Sequence, residues 1–250
     1  MNSQILNNKI FLIFISSLLM GVAQQPLGLG YLAWFSLIPF IHVLVSINNY
    51  KHLIIFSFIW GFLYSISTVF WLAFNIGTSN VAAFISMILT VLILCTNTIL
   101  ISLVWYRINF KKKYDLLLLP IIWVSIEYVR SYGILGFPWI DVANTQTDFL
   151  YLIQNAEFVG IYGISFWVIS INVLIYKSIN SINYKKNLIF LLITITLPFV
   201  SGYYLFNRIQ LSELNNKITI IQPNINLINK RDYSKRLENL KSLIQVSKKH

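Results

Sequence analysis

Cysteine is almost missing from this chain: Cys95 is the single one among 250 residues. One thiol forms no internal disulfide and completes no cysteine-based zinc site, and Cys95 lies inside an apolar run, where a small buried side chain is the plain reading. The histidines His42, His52 and His250 share no ligand spacing, so no metal site and no cofactor is expected. Charge is scarce too. Only 11% of residues are charged, and 8 Asp and Glu stand against 19 Lys and Arg, for a formal charge of +11. In a water-soluble chain that excess suggests nucleic acid. Here 57% hydrophobic residues, 16% aromatic residues and a mean hydropathy of +0.69 exceed what one soluble core needs. The composition is that of a membrane protein, with no nucleic-acid partner.

Long apolar runs are what the chain has in quantity, near residues 10–25, 29–47, 53–74, 81–106, 116–132, 158–176 and 188–206. A helix crosses the roughly 30 Å hydrocarbon core in about 20 residues, so these runs predict a mostly α, polytopic bundle of about seven crossings. A signal peptide is the rival for the first run, because Lys9 precedes "IFLIFISSLLMGVA". No small-x-small cleavage site follows it convincingly, and an uncleaved helix is expected. The linker "GVAQQPLGLG" reads as a loop or as the apex of a short hairpin: Pro26 and the glycines end helix, and Gln24 and Gln25 are costly at midplane.

The basic residues fall on one side. Lys9, Lys51, Arg107, Lys111, Lys112, Lys113, Lys177, Lys185 and Lys186 occupy alternate linkers, whereas linkers 24–28 and 75–80 carry none and 133–157 carries only Asp141, Asp148 and Glu157. Basic linkers stay cytoplasmic. This predicts a cytoplasmic amino terminus and an extracytoplasmic segment after about residue 207. Beyond it, Lys217 to Gln222 is a β-branched run that reads as a strand ended by Pro223. From Tyr233, the spacing of Leu237, Leu240, Leu243, Ile244 and Val246 suits one face of an amphipathic helix. A strand followed by a helix opens an α/β domain, and about 35 residues are too few to close one.

The most specific chemistry of the membrane portion lies in "LPIIWVSIEYVRSYGILGFPW". Glu127 and Arg130 are one helical turn apart and can pair with each other, either as a structural clamp or in contact with a lipid head group or a moving loop. Gly133, Gly136 and Pro138 break the helix, and Phe137 and Trp139 suit an interfacial depth, as anchors or as the lining of a lipid-side opening.

The longer segment from Leu119 to Tyr176 also resembles the central membrane segment of bacterial apolipoprotein N-acyltransferases. The matching residues are Pro120, Trp123, Glu127, Tyr128, Arg130, Gly136, Phe137, Pro138, Trp139, Thr145, Gln146, Gly160 and Gly163. "QPLGLGYLAWFSLIPFI" looks like the family's early segment, and "ITIIQPNIN", with Gln222 and Asn224, like the first strand of its nitrilase-like domain. The resemblance implies a transmembrane domain over residues 1–207 and the start of an extracytoplasmic nitrilase-like (carbon-nitrogen hydrolase) domain over 216–250, in a multi-pass protein of the bacterial inner membrane. It implies an enzyme that takes an acyl chain from a membrane phospholipid onto a cysteine thiol. The acyl chain then passes to the N-terminal diacylglyceryl-cysteine of a lipoprotein.

A Glu–Lys–Cys trio performs this in the family: a base, an oxyanion stabiliser and a nucleophile. The family places all three beyond the stretch that His250 ends, so no catalytic residue is nominated, and residues 1–250 alone are expected to be inactive. A fragment, an interrupted product or a separately encoded catalytic portion each fits. Where the family commonly has Lys-Trp, this chain has Lys230 followed by Arg231, which puts substrate handling in doubt. Two other readings stay open. One is a different membrane-bound nitrilase-like acyltransferase, acting on a glycan or a polyprenyl-linked sugar; the other is a non-enzymatic transporter or scaffold, against which stand the lack of internal repeats and the scarcity of midplane charge.

Overall fold

In hydrocarbon, every backbone N–H and C=O must be satisfied inside the protein, and a helix does so within one segment. The apolar runs fold accordingly. A computed structural model describes residues 3–108, 116–182, 184–208, 220–226, 229–230 and 232–248. The elements are α1 (Ser3–Ala23), a 3-10 turn (Gly30–Leu32) leading into α2 (Ala33–Ser36) and α3 (Ile38–Val45), α4 (Tyr50–Val69), α5 (Asn80–Ile108), α6 (Leu119–Arg130), α7 (Leu150–Ile153), α8 (Ala156–Asn180), α9 (Tyr184–Arg208) and α10 (Arg236–Ser247).

Among the described residues, five helices are long and apolar enough to cross a membrane: Leu6–Ala23, Tyr50–Phe74, Asn80–Ile108, Ala156–Asn180 and Tyr184–Arg208. The remaining two expected crossings are shorter. Helix α6 has 12 residues, roughly 18 Å of the roughly 30 Å needed. The Gly30–Val45 stretch is apolar but broken at Leu37. Pro39 explains the break, since its ring cannot donate and disfavours helix in the residue before it. Asn172, fully buried in α8, fills the gap by accepting from Leu37 N–H at 2.9 Å and donating to Ala33 O at 2.8 Å.

A second proline is compensated in the same way. Pro198 lies inside α9 and leaves the carbonyl of Thr194 without its helical donor. The indole Nε1 of Trp167 in α8 donates to that carbonyl at 2.5 Å, and Asn155 Nδ2 donates to Pro198 O at 2.7 Å. The breaks in these helices therefore become the bonds between them. Close approach does the rest: a Cβ at Gly202 would collide with the Tyr151 carbonyl, and one at Gly61 would meet Cys95 Cα at 3.2 Å. Aromatic packing centres on Trp60, whose ring is 5.0 Å from Phe40 and 5.7 Å from Trp123, and whose Nε1 donates to Ser16 Oγ at 2.9 Å.

The chain divides into two compact units, residues 1–70 with 87–209, and residues 71–86 with 210–250. The second contains the start of α5, capped by Ser79, whose Oγ accepts from Ala82 N–H at 3.3 Å. It also contains α10, and the helix expected from Tyr233 is present as a 3-10 turn, Tyr233–Lys235, running into Arg236–Ser247. The expected strand is not seen among the described residues. Residues 217–219 of that reading lie outside them, and Ile220 to Gln222 is irregular. A β-branched run becomes a strand only when a neighbour pairs its N–H and C=O groups, and no described segment does so.

Replacing Asn172 by alanine leaves Leu37 N–H and Ala33 O unpaired in the core. The variant is expected to lose about 1–3 kcal/mol, read as a lower thermal midpoint in detergent. An unchanged midpoint means that Asn172 does not hold the broken helix.

Candidate functional site

Helix α6 is stopped by its own sequence. Ser131 N–H donates back to Glu127 O at 3.1 Å, and Gly133 follows at φ +81°, where other residues are strained. A Cβ at Gly136 would stand 2.7 Å from Ser131 O, so glycine lets the chain fold tightly against the helix end. Phe137 N–H then donates to Arg130 O at 3.2 Å. From there two 3-10 turns, Pro138–Ile140 and Val142–Gln146, carry the backbone into the protein.

Ile140, Asp141, Val142, Ala143, Thr145 and Gln146 are all buried, so their polar groups need partners. Neighbouring helices supply them. The Arg130 guanidinium pairs with Asp141, and Glu127 Oε1 accepts from Val142 N–H at 2.9 Å and from the Trp123 indole at 3.2 Å. Tyr64 donates to Ile140 O at 2.7 Å, while Gln24 Nε2 reaches both the Tyr64 hydroxyl, at 2.8 Å, and Asp141 O, at 3.3 Å. Ser165 Oγ accepts from Ala143 N–H at 3.0 Å. Gln146 Nε2 donates to Gly30 O at 3.0 Å, and its Oε1 accepts from Trp34 Nε1 at 2.8 Å. Helices α2, α4, α6 and α8 thus hold one loop.

The other face is apolar and exposed. Tyr132, Ile134 and Leu135 project from the first turn, and Trp139 is 63% exposed with its ring 5.4 Å from that of Phe137. Gly160, at φ +62°, kinks the start of α8 beside this end. The loop is therefore hydrogen-bonded inward and greasy outward.

Of the residues singled out by sequence, Glu127, Arg130, Gly136, Phe137, Pro138, Trp139 and Gln146 come together here. The expected pairing of Glu127 with Arg130 is corrected: each takes a different, consecutive loop residue, Val142 and Asp141. One turn of helix puts both side chains on the same face, and the loop beneath offers better partners than either does to the other. Gln222, Asn224 and Lys230 lie in the other unit, where Asn224 has φ +49° and Lys230 N–H donates to Asn226 O at 2.9 Å. Sequence reading passed over Asp141, Tyr64, Trp34 and Ser165 as participants. Their signal was polarity within apolar surroundings, already noted for Gln24. Among the described residues no cluster of three or more His, Cys, Asp or Glu could hold a metal ion.

Fold and site together define an α-helical membrane protein with a buried, polar-anchored loop at one end of its bundle. Residues 16–174 match the family described as apolipoprotein N-acyltransferase N-terminal domain, and the chain belongs to that family. It is 26% identical over 236 residues to an apolipoprotein N-acyltransferase of Chlorobaculum tepidum, covering 89% of this chain and 43% of that protein. It is 30% identical over 123 residues to one of Geobacter metallireducens, covering 46% of this chain and 23% of that protein. The chain thus spans less than half the length of these curated relatives.

Arg130→Leu leaves Asp141 buried without its cation and is expected to cost about 3–5 kcal/mol of stability in detergent. Arg130→Leu with Asp141→Leu recovers most of that loss. A double variant as unstable as the single one rules out the ion pair as the origin.

Proposed function

We propose that this chain is the membrane part of an apolipoprotein N-acyltransferase, which moves an acyl chain from a membrane phospholipid to the N-terminal diacylglyceryl-cysteine of a lipoprotein. The observation that carries the reading is the two-faced loop at Tyr132 to Leu150, inside the family match. Its buried polar face fixes its position, and its exposed face offers aromatic and aliphatic surface to a lipid chain. On this reading residues 1–207 are the transmembrane domain and residues 216–250 begin the nitrilase-like domain, with Gln222, Asn224 and Lys230 near its start. The catalytic trio belongs to that domain or to a separately encoded partner.

The same reading has seven crossings in the bacterial inner membrane, the two short helical stretches completing their spans with the turns beside them. The amino terminus is cytoplasmic and the loop is extracytoplasmic. Two observations support this orientation. Lys9 Nζ donates to Ser46 O at 3.2 Å, which brings two linkers of the basic set to one end. The loop, by contrast, lies in a stretch without Lys or Arg from Ser131 to Tyr176. Single cysteines at the exposed positions Ile134 and Ile182, in a Cys95→Ala background, separate the two faces. A membrane-impermeant thiol reagent labels the first and spares the second in intact cells. Labelling at Ile182 reverses the orientation.

For the reaction, the full product of the gene is assayed in membranes for acyl-thioester formation from phospholipid. Trp139→Ala is expected to lower the yield per folded protein roughly tenfold, because apolar area is lost from the lipid path, and Trp139→Phe to keep most of it. An unchanged yield in the alanine variant reduces the loop to a membrane anchor.

A further inference from the structure

Helices α8 and α9 do not close against each other along their whole length. A groove of about 970 Å³ runs between them, with Leu174, Phe166, Phe190, Leu197 and Val159 among its apolar walls. The end farther from the loop carries Lys177, Ser181, Lys186 and Asn187. A second cavity of about 300 Å³ opens beside that end and shares Lys177 and Ser181 with the groove; Trp105, Tyr176 and Asn180 complete its polar and aromatic lining. We propose that this pair of cavities binds one anionic phospholipid, its phosphate head group at Lys177 and Lys186 and an acyl chain lying between α8 and α9.

Three features carry the assignment. From Lys186 to Ser201 the groove follows α9 for roughly 22 Å, enough for the acyl chain of one leaflet, which takes about half of the roughly 30 Å core. Along α8 beyond Glu157 and along α9 the formal charge is of one sign: no Asp or Glu occurs from Phe158 to Ser212, while Lys177, Lys185 and Lys186 cluster within one turn of the helix ends. Basic pockets between helices at a membrane face select anionic head groups in this way. The chemistry is also graded along the site. Cations and the hydrogen-bonding Ser181 and Asn180 lie at the head-group end, Trp105 and Tyr176 suit interfacial depth, and the walls beyond are apolar.

This lipid is not the proposed acyl donor. Lys177 is about 26 Å along α8 from the Gly160 kink, so its head group belongs to the opposite membrane face from the Tyr132 to Leu150 loop. The proline compensation described above ties the two helices together at the loop end of the groove. Trp167 and Asn155 bond to α9 carbonyls at Thr194 and Pro198, Asn187 Nδ2 donates to Lys177 O at 3.2 Å at the other end, and the apolar walls of the groove lie between these bonds.

The test is native mass spectrometry of the detergent-purified chain after titration with phosphatidylglycerol or with phosphatidylcholine of the same acyl composition. The wild type is expected to retain one phosphatidylglycerol with roughly tenfold preference. Lys177→Gln with Lys186→Gln removes that preference, Lys177→Arg with Lys186→Arg keeps it, and Leu197→Trp, which fills the groove from an exposed position, weakens retention of both lipids. If the double glutamine variant does not fold, Lys186→Gln alone, at an exposed site, reports the same loss in part. Equal retention of the two lipids by the wild type, or an undiminished preference in a folded glutamine variant, overturns the proposal. Neither outcome bears on acyl transfer, which the thioester assay of Trp139→Ala reads separately.

Discussion

The site depends on a loop whose backbone must be satisfied where water does not reach. Asp141 and Val142 are buried next to one another, and α6 meets them with two different devices one turn apart. Arg130 answers the side-chain charge of Asp141, and Glu127 answers the backbone N–H of Val142. Burying three ionisable groups together is expensive, and removing one partner costs more than the whole cluster contributes. Such an arrangement fixes position. With the Asp141 segment held, Gln146 can reach Gly30 and Trp34, and Ile140 can meet Tyr64, so the loop ties the first half of the chain to the second.

The same logic explains why the helices of this bundle are broken where they are. Lipid gives helices no hydrophobic reason to associate, so interhelical hydrogen bonds and close glycine contacts decide which faces meet. The break at Leu37 leaves Leu37 N–H and Ala33 O unpaired within the helix and Pro198 frees Thr194 O, and α8 fills both vacancies, with Asn172 and with Trp167. Helix α8 is buried along much of its length because it serves both neighbours. In α9, by contrast, Asn187, Gly202 and Leu205 are the buried residues, and most of its surface faces outward.

Sequence reading reached the helical class and the loop through different signals. Hydropathy located five long helices directly, since 20 or more apolar residues state their own purpose. It did not foresee how short the other stretches are: Leu119–Arg130 is apolar enough yet stops at Arg130, because Gly133 and Gly136 turn the chain at once. The loop was legible from Gly133, Gly136 and Pro138 as a helix break, and from Phe137 and Trp139 as apolar in an unusual place. Its inner half was not. No periodicity announces that Asp141 faces Arg130, because the contact spans a turn whose geometry glycine sets, and the i,i+3 spacing of Glu127 and Arg130 points to the wrong pair. The strand read at Lys217 to Gln222 failed on its described half for a related reason, since a strand is a property of its neighbours.

Firmness at the loop and looseness along α9 belong together. On the proposed function, a site that hands lipid chains between a bilayer and a catalytic group needs a fixed reference and a permeable boundary, and one packing density cannot supply both. Here the reference is the polar anchorage of residues 140–146, held from several helices by hydrogen bonds of 2.7 to 3.0 Å. The boundary is a helix joined to α8 and its flanking turn by a few bonds, at Asn187, Thr194, Pro198 and the Gly202 contact, with apolar surface between them. At the Lys186 end of α9, Asn187 is buried against α8 while Lys186 and Leu188 on either side of it are exposed. That end is also where the charges of Lys177 and Lys186 make a lipid head group the natural neighbour.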